Sequence, residues 1–502
     1  MEKFIQIVEN VNGYANKWSW LIGLVILMAS GVLMTTLIRV FQLSHIGHWF
    51  KSTLGSLVGK NQAGESKDKK SISQFQALCT ALAATVGTGN IIGVAGAIIA
   101  GGPGAIFWMW VAAFLGMSLK FSEIVLGIYF RRRNQDGEWS GGAMYYLTDG
   151  LGKKKGMKIP GRVLAVLFAL FTILASFGIG NMSQIDSITN TVSDAFFKNV
   201  NLGAWFGVPV VKYIIGFVLL VIVGAIVVGG LKRLAKAAEM IVPFMAVLYV
   251  VGSLVILGIN FNQLGNVIGA IFRCAFTWEA AGGGALGIIT VVVLNGCKRG
   301  VFSNEAGLGS AVMVHASADV KEPVKQGMWG IFEVFMDTFV ICSMSALVFL
   351  SSGLVDLQTG VSSITDKAAL ASGAFAASFG SVGEMFLAIA MFFFAFTTVL
   401  GWSQYGAKAV EYLWGSVAAK VYKVIFVLMT IVGAVLASPL AWDISDTFNA
   451  LMMIPNLIGV IVLSPLVAKI TKNYVARKLK KQDVAPMLSY DEAIQEEMSK
   501  SL

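Results

Sequence analysis

Charge is what this chain has least of. Only 13% of its 502 residues are Asp, Glu, Lys or Arg, while 56% are hydrophobic. A soluble domain carries about 25% charged residues and about 45–50% apolar ones. So few charges cannot clothe the surface of a soluble protein of this size. Cysteine is scarce too: Cys79, Cys274, Cys297 and Cys342 stand alone, with no CxxC pair, which excludes a disulfide framework and a zinc site. The three histidines, His45, His48 and His315, are scattered, and neither HExxH nor GxSxG occurs. An intramembrane enzyme needs such a metal site or nucleophile–base set. No GxxxxGK[ST] loop is present either, so no P-loop nucleotide site drives the chemistry. The first residues are polar and carry Glu2 and Glu9 ahead of the first apolar run, unlike a cleavable signal.

What is there, repeatedly, is the long apolar run. Runs of about 20 residues match the roughly 30 Å of hydrocarbon that a helix crosses at about 1.5 Å per residue. They are continuous rather than alternating, so they read as helices and not as barrel strands. Eleven spans are expected, near 19–41, 75–100, 104–130, 161–185, 211–230, 239–260, 279–316, 326–352, 379–402, 422–440 and 448–470. The seventh is too long for one simple crossing and should contain a break.

The net charge of +10 has an address. Alternate loops hold Lys51–Lys70, Arg131–Arg133 with Lys153–Lys158, Lys232–Lys236, Lys321 and Lys325, Lys408 and Lys420, and the tail from Lys472 to Lys481. The intervening loops are nearly bare of basic residues. Basic loops stay cytoplasmic, so the N-terminus is expected outside and the C-terminal tail inside, as a cytoplasmic helix or disorder. Nucleic acid is not needed to explain the charge. The first span, with its polar linker (residues 1–74), stands apart. Ten spans remain, five in 75–260 and five in 261–470, followed by the tail 471–502. A five-span unit must be followed by its copy upside down, the inverted repeat of many secondary transporters.

Three segments carry chemistry. In span two, Thr85-Val86-Gly87-Thr88-Gly89-Asn90 places two glycines, two threonines and an asparagine in mid-run. Each glycine costs a helix about 1 kcal/mol against alanine, and an opened backbone in the membrane is tolerated only where it lines a cavity. Amide N–H groups after the break suit a substrate carboxylate, and carbonyls before it suit Na⁺. Close packing through small residues is the competing reading. Span seven carries Asn295-Gly296-Cys297-Lys298-Arg299-Gly300 and then Ser303-Asn304-Glu305-Ala306-Gly307-Leu308-Gly309-Ser310. Its break is expected at Asn295–Gly300, with Gly282-Gly283-Gly284 competing. Lys298, Arg299 and Glu305 are costly at membrane depth unless paired; Glu305 paired with a basic neighbour would act as a gate, or the basic pair anchors the helix end. In span nine, Thr397 and Thr398 offer hydroxyls to sodium or bond back to their own helix, and Trp402 shares a face with Thr398. Gln184 in span four suits a small zwitterion, or lies in the outer headgroup region.

Together these segments resemble the alanine or glycine:cation symporter family (sodium:alanine symporters), over nearly the whole chain. The family is similar to LeuT-type carriers: an all-α membrane fold with five-plus-five inverted repeats, here with an extra first helix. The resemblance implies sodium held by the carbonyls of Ala83, Val86 and Phe394 and the hydroxyls of Thr397 and Thr398. It implies an amino-acid pocket lined by Thr85, Gly87, Thr88, Gly89, Asn90, Gln184, Val292, Gly296, Thr398 and Trp402, with Arg299 and Glu305 gating. Trp402 would limit side-chain size, favouring alanine and glycine. The expected protein is a monomeric sodium symporter of the bacterial inner membrane that works by alternating access. The alternative is proton coupling through Glu123, Glu305, Glu333 or Asp337.

Overall fold

The computed structural model describes the chain except residues 1, 58–62, 67, 69, 199, 201, 277–284, 437–438 and 501–502. It is helical from end to end, with two short hairpins at Arg132–Arg133/Trp139–Ser140 and Ala204–Trp205/Val208–Pro209. Among the described residues, eight helices are long and apolar enough to cross a membrane, or nine if a bent pair is one span.

The bent pair is the expected break. Helix α1 (Glu2–Leu37) leads, past short helical turns at Phe41–Ser44 and Ile46–Ser52, to α2 (Gln74–Thr85), which starts on a capping box: the Gln76 N–H donates to Ser73 Oγ and the Ser73 N–H to Gln76 Oε1, both at 3.0 Å. Such a box satisfies two N–H groups that a helix start leaves orphaned. The chain leaves helical geometry at Val86 and Gly87, and α3 (Ile92–Gly101) resumes at 62° to α2.

Helix α4 (Gly104–Tyr129) is the axis of the molecule, with 89% of its apolar window buried; α7 (Val210–Val227) has 28%. The outer helices α7 and α8 (Gly230–Ile259) present Phe217, Val221, Phe244, Val247 and Val251 outward. A soluble protein does not expose apolar surface on that scale; lipid is its natural solvent, and the protein is a multi-pass membrane protein. Helix α5 (Lys158–Phe177) runs through a π-helical stretch at Gly178–Met182 into α6 (Ser183–Phe196). Gln184 therefore lies inside a helix and is buried, not at a headgroup-level loop. Next come α9 (Ala285–Asn304), α10 (Pro323–Val334), a π-helical stretch at Phe335–Cys342, and α11 (Ser343–Ser351).

Spans nine and ten lie in α12 (Ser381–Val435), whose helical course is interrupted at Gly415 (φ 87°, ψ 179°). Helix α13 (Pro439–Lys478) closes the bundle against α1 and α5.

The basic loops meet at one end. Arg133 pairs with Asp68 at 3.0 Å, Arg477 with Glu322 at 2.7 Å, and Asn134 with Glu411 at 3.0 Å. Burial pushes the Asp68 carboxyl up, but the Lys70 N–H, the Ser71 hydroxyl and Arg133 outweigh it and bring its pKa down to about 2. The tail is ordered on this face: Tyr490 donates its N–H to the Tyr129 carbonyl at 3.1 Å, and α14 (Glu492–Lys500) follows.

The break in span seven is not at Asn295–Gly300, which lies within α9. Gly296 and Gly300 are there for close packing: a methyl on Gly296 would sit 2.9 Å from Trp108 Cβ, and one on Gly300 3.1 Å from Met109 Cγ. The helix ends at Asn304, and the chain turns through left-handed Glu305 (φ 54°), Gly307 (φ 85°) and Gly309 (φ 72°) before one helical turn at Val312–His315. Two glycines bear positive φ without strain. The competing Gly282–Gly284 site lies outside the described residues.

Candidate functional site

The break in span two redirects backbone hydrogen bonds. In an unbroken helix the Gly87 N–H would reach the Ala83 carbonyl and the Asn90 N–H the Val86 carbonyl. Instead Gly87 N–H donates to Asn90 Oδ1 at 2.8 Å, and Asn90 N–H to the Gly87 carbonyl at 3.2 Å. Ala83 and Val86, the two carbonyls assigned to sodium by resemblance, are thereby relieved of their helical donors. The Thr88 N–H points at Gln184 Oε1 at 3.5 Å.

Span nine comes to the break because it is small where it touches. A methyl on Gly401 would lie 2.6 Å from Ala84 Cβ, closer than carbons approach. One turn earlier, Thr398 Oγ1 lies directly against Gly87, leaving no room there for a Cβ. Thr397 and Thr398 both donate to the Phe394 carbonyl, at 3.1 and 2.9 Å. So the competing back-bonding is present: Thr397 is shared with the Phe393 carbonyl at 2.9 Å, and both hydroxyls lie within reach of the third expected carbonyl. Thr397 also faces Met245 Sδ at 3.4 Å. Trp402 is buried, edge-on to Tyr405 at 5.4 Å, with Gly180 of the π-helical stretch beneath its ring. Thr85 bonds back to Ala81 at 3.2 Å.

Two expected pocket residues are elsewhere. Val292 and Gly296 pack against Gly101 and Ala105 at the far end of α3. Helices α3 and α9 run antiparallel, so Val292 is about 16 Å and Gly296 about 10 Å along α9 from the residues that meet the break. Those residues are Phe302 and Ser303: a methyl on Gly89 would lie 3.3 Å from Phe302 Cδ1 and 3.7 Å from Ser303 Cα. The expected Arg299–Glu305 gate is not formed. Six residues on a helix put the two on different faces, and Glu305 lies beyond the helix end. Its Oε2 accepts from Ser310 Oγ at 2.5 Å, while Arg299 lies 5.9 Å from the Phe302 ring. Lys298 pairs with Asp446 at 2.9 Å.

Asn90 is less a free pocket wall than a bracket. Its Nδ2 donates to Asp337 Oδ1 at 2.6 Å, and Ser345 Oγ donates to its carbonyl at 2.6 Å. Ser303 Oγ donates to Asp337 Oδ2 at 2.9 Å, and so does Thr338 Oγ1 at 2.8 Å. Asp337 thus ties the broken loop of span two to the end of α9. The sequence offered one signal for it, an acid inside an apolar run, but not its partner.

Away from the basic end, a cavity of about 410 Å³ lies beside the break, lined by Ile91, Ile92, Leu387 and Met391 and by the charged residues Asp194, Lys198, Asp366 and Glu384. Leu387 and Met391, which line it, lie on the same face of α12 as Thr398.

This arrangement can be set beside known proteins. The chain is 42% identical over 471 residues to the sodium/alanine symporter AgcS of Methanococcus maripaludis, covering 94% of this chain and 97% of that one. It is 36% identical to the probable sodium/glutamine symporter GlnT of Bacillus subtilis, over 94% of this chain and 92% of that one. The structure of MhsT in complex with L-phenylalanine matches 81% of this chain and 99% of its own with a TM-score of 0.53 at 13% identity, which shows a shared LeuT-type fold. The sodium:alanine symporter family model matches residues 1–488. The chain, a sodium-coupled amino-acid symporter and not an enzyme, belongs to the sodium:alanine symporter family.

Proposed function

We propose that this chain imports a small neutral amino acid, alanine or glycine, with sodium, by alternating access. The observation that carries the reading is the Gly87–Asn90 break seated against Thr398 and Gln184. Sodium takes the carbonyls of Ala83, Val86 and Phe394 and the hydroxyls of Thr397 and Thr398, since a hard cation prefers oxygen. The substrate carboxylate takes the N–H groups of Thr88 and Gly89 at the start of the second half-helix, while the Gly87 N–H stays on Asn90 Oδ1. Gln184 faces its ammonium group, and Thr85, Thr398 and Trp402 close on the side chain. Asn90 holds the loop in shape.

Three carboxylates against one lysine leave the cavity lining net negative, which raises the local concentration of Na⁺. Eleven spans arise when α12 counts as two at Gly415 and α9 as one. Residues 75–260 and 261–470 then form the inverted repeats, with the N-terminus outside and the tail in the cytoplasm of a bacterial cell, the protein acting as a monomer.

Counterflow in proteoliposomes tests this. Vesicles loaded with unlabelled alanine should accumulate labelled alanine in the presence of sodium, with glycine competing and glutamine competing poorly. Glutamine competing as well as glycine would sink the size argument from Trp402, and linear, non-saturable flux would mark a channel.

A further inference from the structure

Toward the basic end, below the break, lies a cluster of ionisable side chains that the transport reading leaves unused. Lys120 Nζ lies 3.1 Å from Glu333 Oε1, and His315 Nε2 lies 3.1 Å from Glu333 Oε2. Gln326 Nε2 lies 2.8 Å from His315 Nδ1. Glu123 is on the same helix as Lys120 and accepts from Asn456 Nδ2 at 2.5 Å. Glu305, in the turn of span seven, faces Lys120, Glu333 and Asp337. Lys120, Glu123, Glu333, His315 and Asp337 are all fully buried, and Glu305 is 3% exposed.

The charges do not balance. One ammonium and one imidazole face four carboxyl groups, Glu123, Glu305, Glu333 and Asp337. Glu333 is matched by Lys120 and His315. Asp337 accepts from three side chains, which stabilise an anion. Glu123 and Glu305 must share with Glu333 the one ammonium of Lys120, and Glu123 has beside it Asn456 and the Gly309 N–H. Glu305 has the Ser310 hydroxyl, and Glu123 Oε2 has no hydrogen-bond partner among the described residues. Independently of these acids, the Tyr405 hydroxyl of α12 is fully buried, faces Glu305 and Glu333, and has no partner among the described residues. Tyr146 lies within the field of Glu123 and donates its hydroxyl to Asn456 Oδ1. Buried charges persist only when paired or neutralised.

We propose that Glu123 and Glu305 form a proton-binding site, distinct from the sodium and amino-acid pocket, whose occupancy holds the turn of span seven closed. The proton comes from water and converts a carboxylate to a carboxylic acid; no other bond changes. The link to the turn is Asn456, which donates to Glu123 and, at 2.8 Å, to the Gly307 carbonyl. Glu305 is itself in that turn. Loss of the proton places like charges on both sides of it and loosens the seal at the basic end. The gating part rests on the carrier reading; the proton site does not.

Infrared difference spectroscopy on the purified full-length protein tests the site directly. At neutral pH the wild type should show a protonated-carboxyl C=O band that titrates away on alkalinisation, and Glu123→Gln or Glu305→Gln should remove it. In proteoliposomes, sodium-driven alanine uptake should fall with rising pH, by on the order of tenfold per pH unit once the proton is lost. Glu123→Gln should flatten that profile, and Glu123→Asp should restore a shifted one. No band removed by either substitution, a pH-independent wild type, or a Glu123→Gln profile that falls like the wild type's would overturn the proposal. Absence of sodium dependence at acidic pH with the band still present would instead indict the carrier reading.

Discussion

At the scale of the residue, glycine does two different jobs in this chain, and the sequence does not distinguish them. Gly87 and Gly401 are small so that another helix can touch backbone. Gly307 and Gly309 are there because their φ is positive. Gly296 and Gly300, expected to mark a helix break, instead do the first job inside α9. The Gly87 break was legible because Thr88 and Asn90 accompany the glycines, and the Asn90 side chain is what takes over the Gly87 N–H. Replacing Gly87 by alanine puts a methyl where Thr398 Oγ1 lies. Alanine uptake is expected to fall by about tenfold or more, about 1.4 kcal/mol of lost binding, with the protein still monodisperse in detergent. Uptake within twofold of wild type would mean that the Gly87–Thr398 contact is dispensable.

At the scale of the element, the spans were legible because their length is set by the bilayer and their composition by lipid. Their terminal details were not. The helix from Lys158 to Phe196 runs past the expected end of span four at 185, and the π-helical stretch at Gly178–Met182 lies inside the span, just ahead of the buried Gln184. Polar residues on separate spans gave no hint of their partners: Lys120 with Glu333, and Asn90 with Asp337, are joined only by packing. The docking of α12 on α2 belongs to this scale. Gly401→Val should pry α12 away from Ala84 and move Phe394, Thr397 and Thr398 away from α2, separating the two halves of the proposed sodium site. The expected result is a sodium half-saturation raised on the order of tenfold, with a smaller change in the alanine half-saturation at saturating sodium. Equal shifts in both would show that the helix contact serves general packing and not the ion.

At the scale of the whole molecule, two broken elements are fastened to one helix. Asp337 receives Asn90 from the first break and Ser303 from the end of α9, and Glu333 one turn earlier receives Lys120 and His315. Both breaks can move only if this face lets go, which gives alternating access a physical hinge point in the proposed cycle. In the proposed cycle the cavity of about 410 Å³ lined by Ile91, Ile92, Leu387 and Met391 is the entry path for substrate. The central claim is that sodium, held on carbonyls freed by the Gly87–Asn90 break, drives amino-acid entry. Uptake of labelled alanine into proteoliposomes under an inward sodium gradient, with no pH gradient and no membrane potential, tests it most directly. Transient accumulation above equilibrium in wild type, and its loss in Thr398→Ala, is the predicted result. Accumulation that needs a pH gradient, or that survives unchanged in Thr398→Ala, would contradict it.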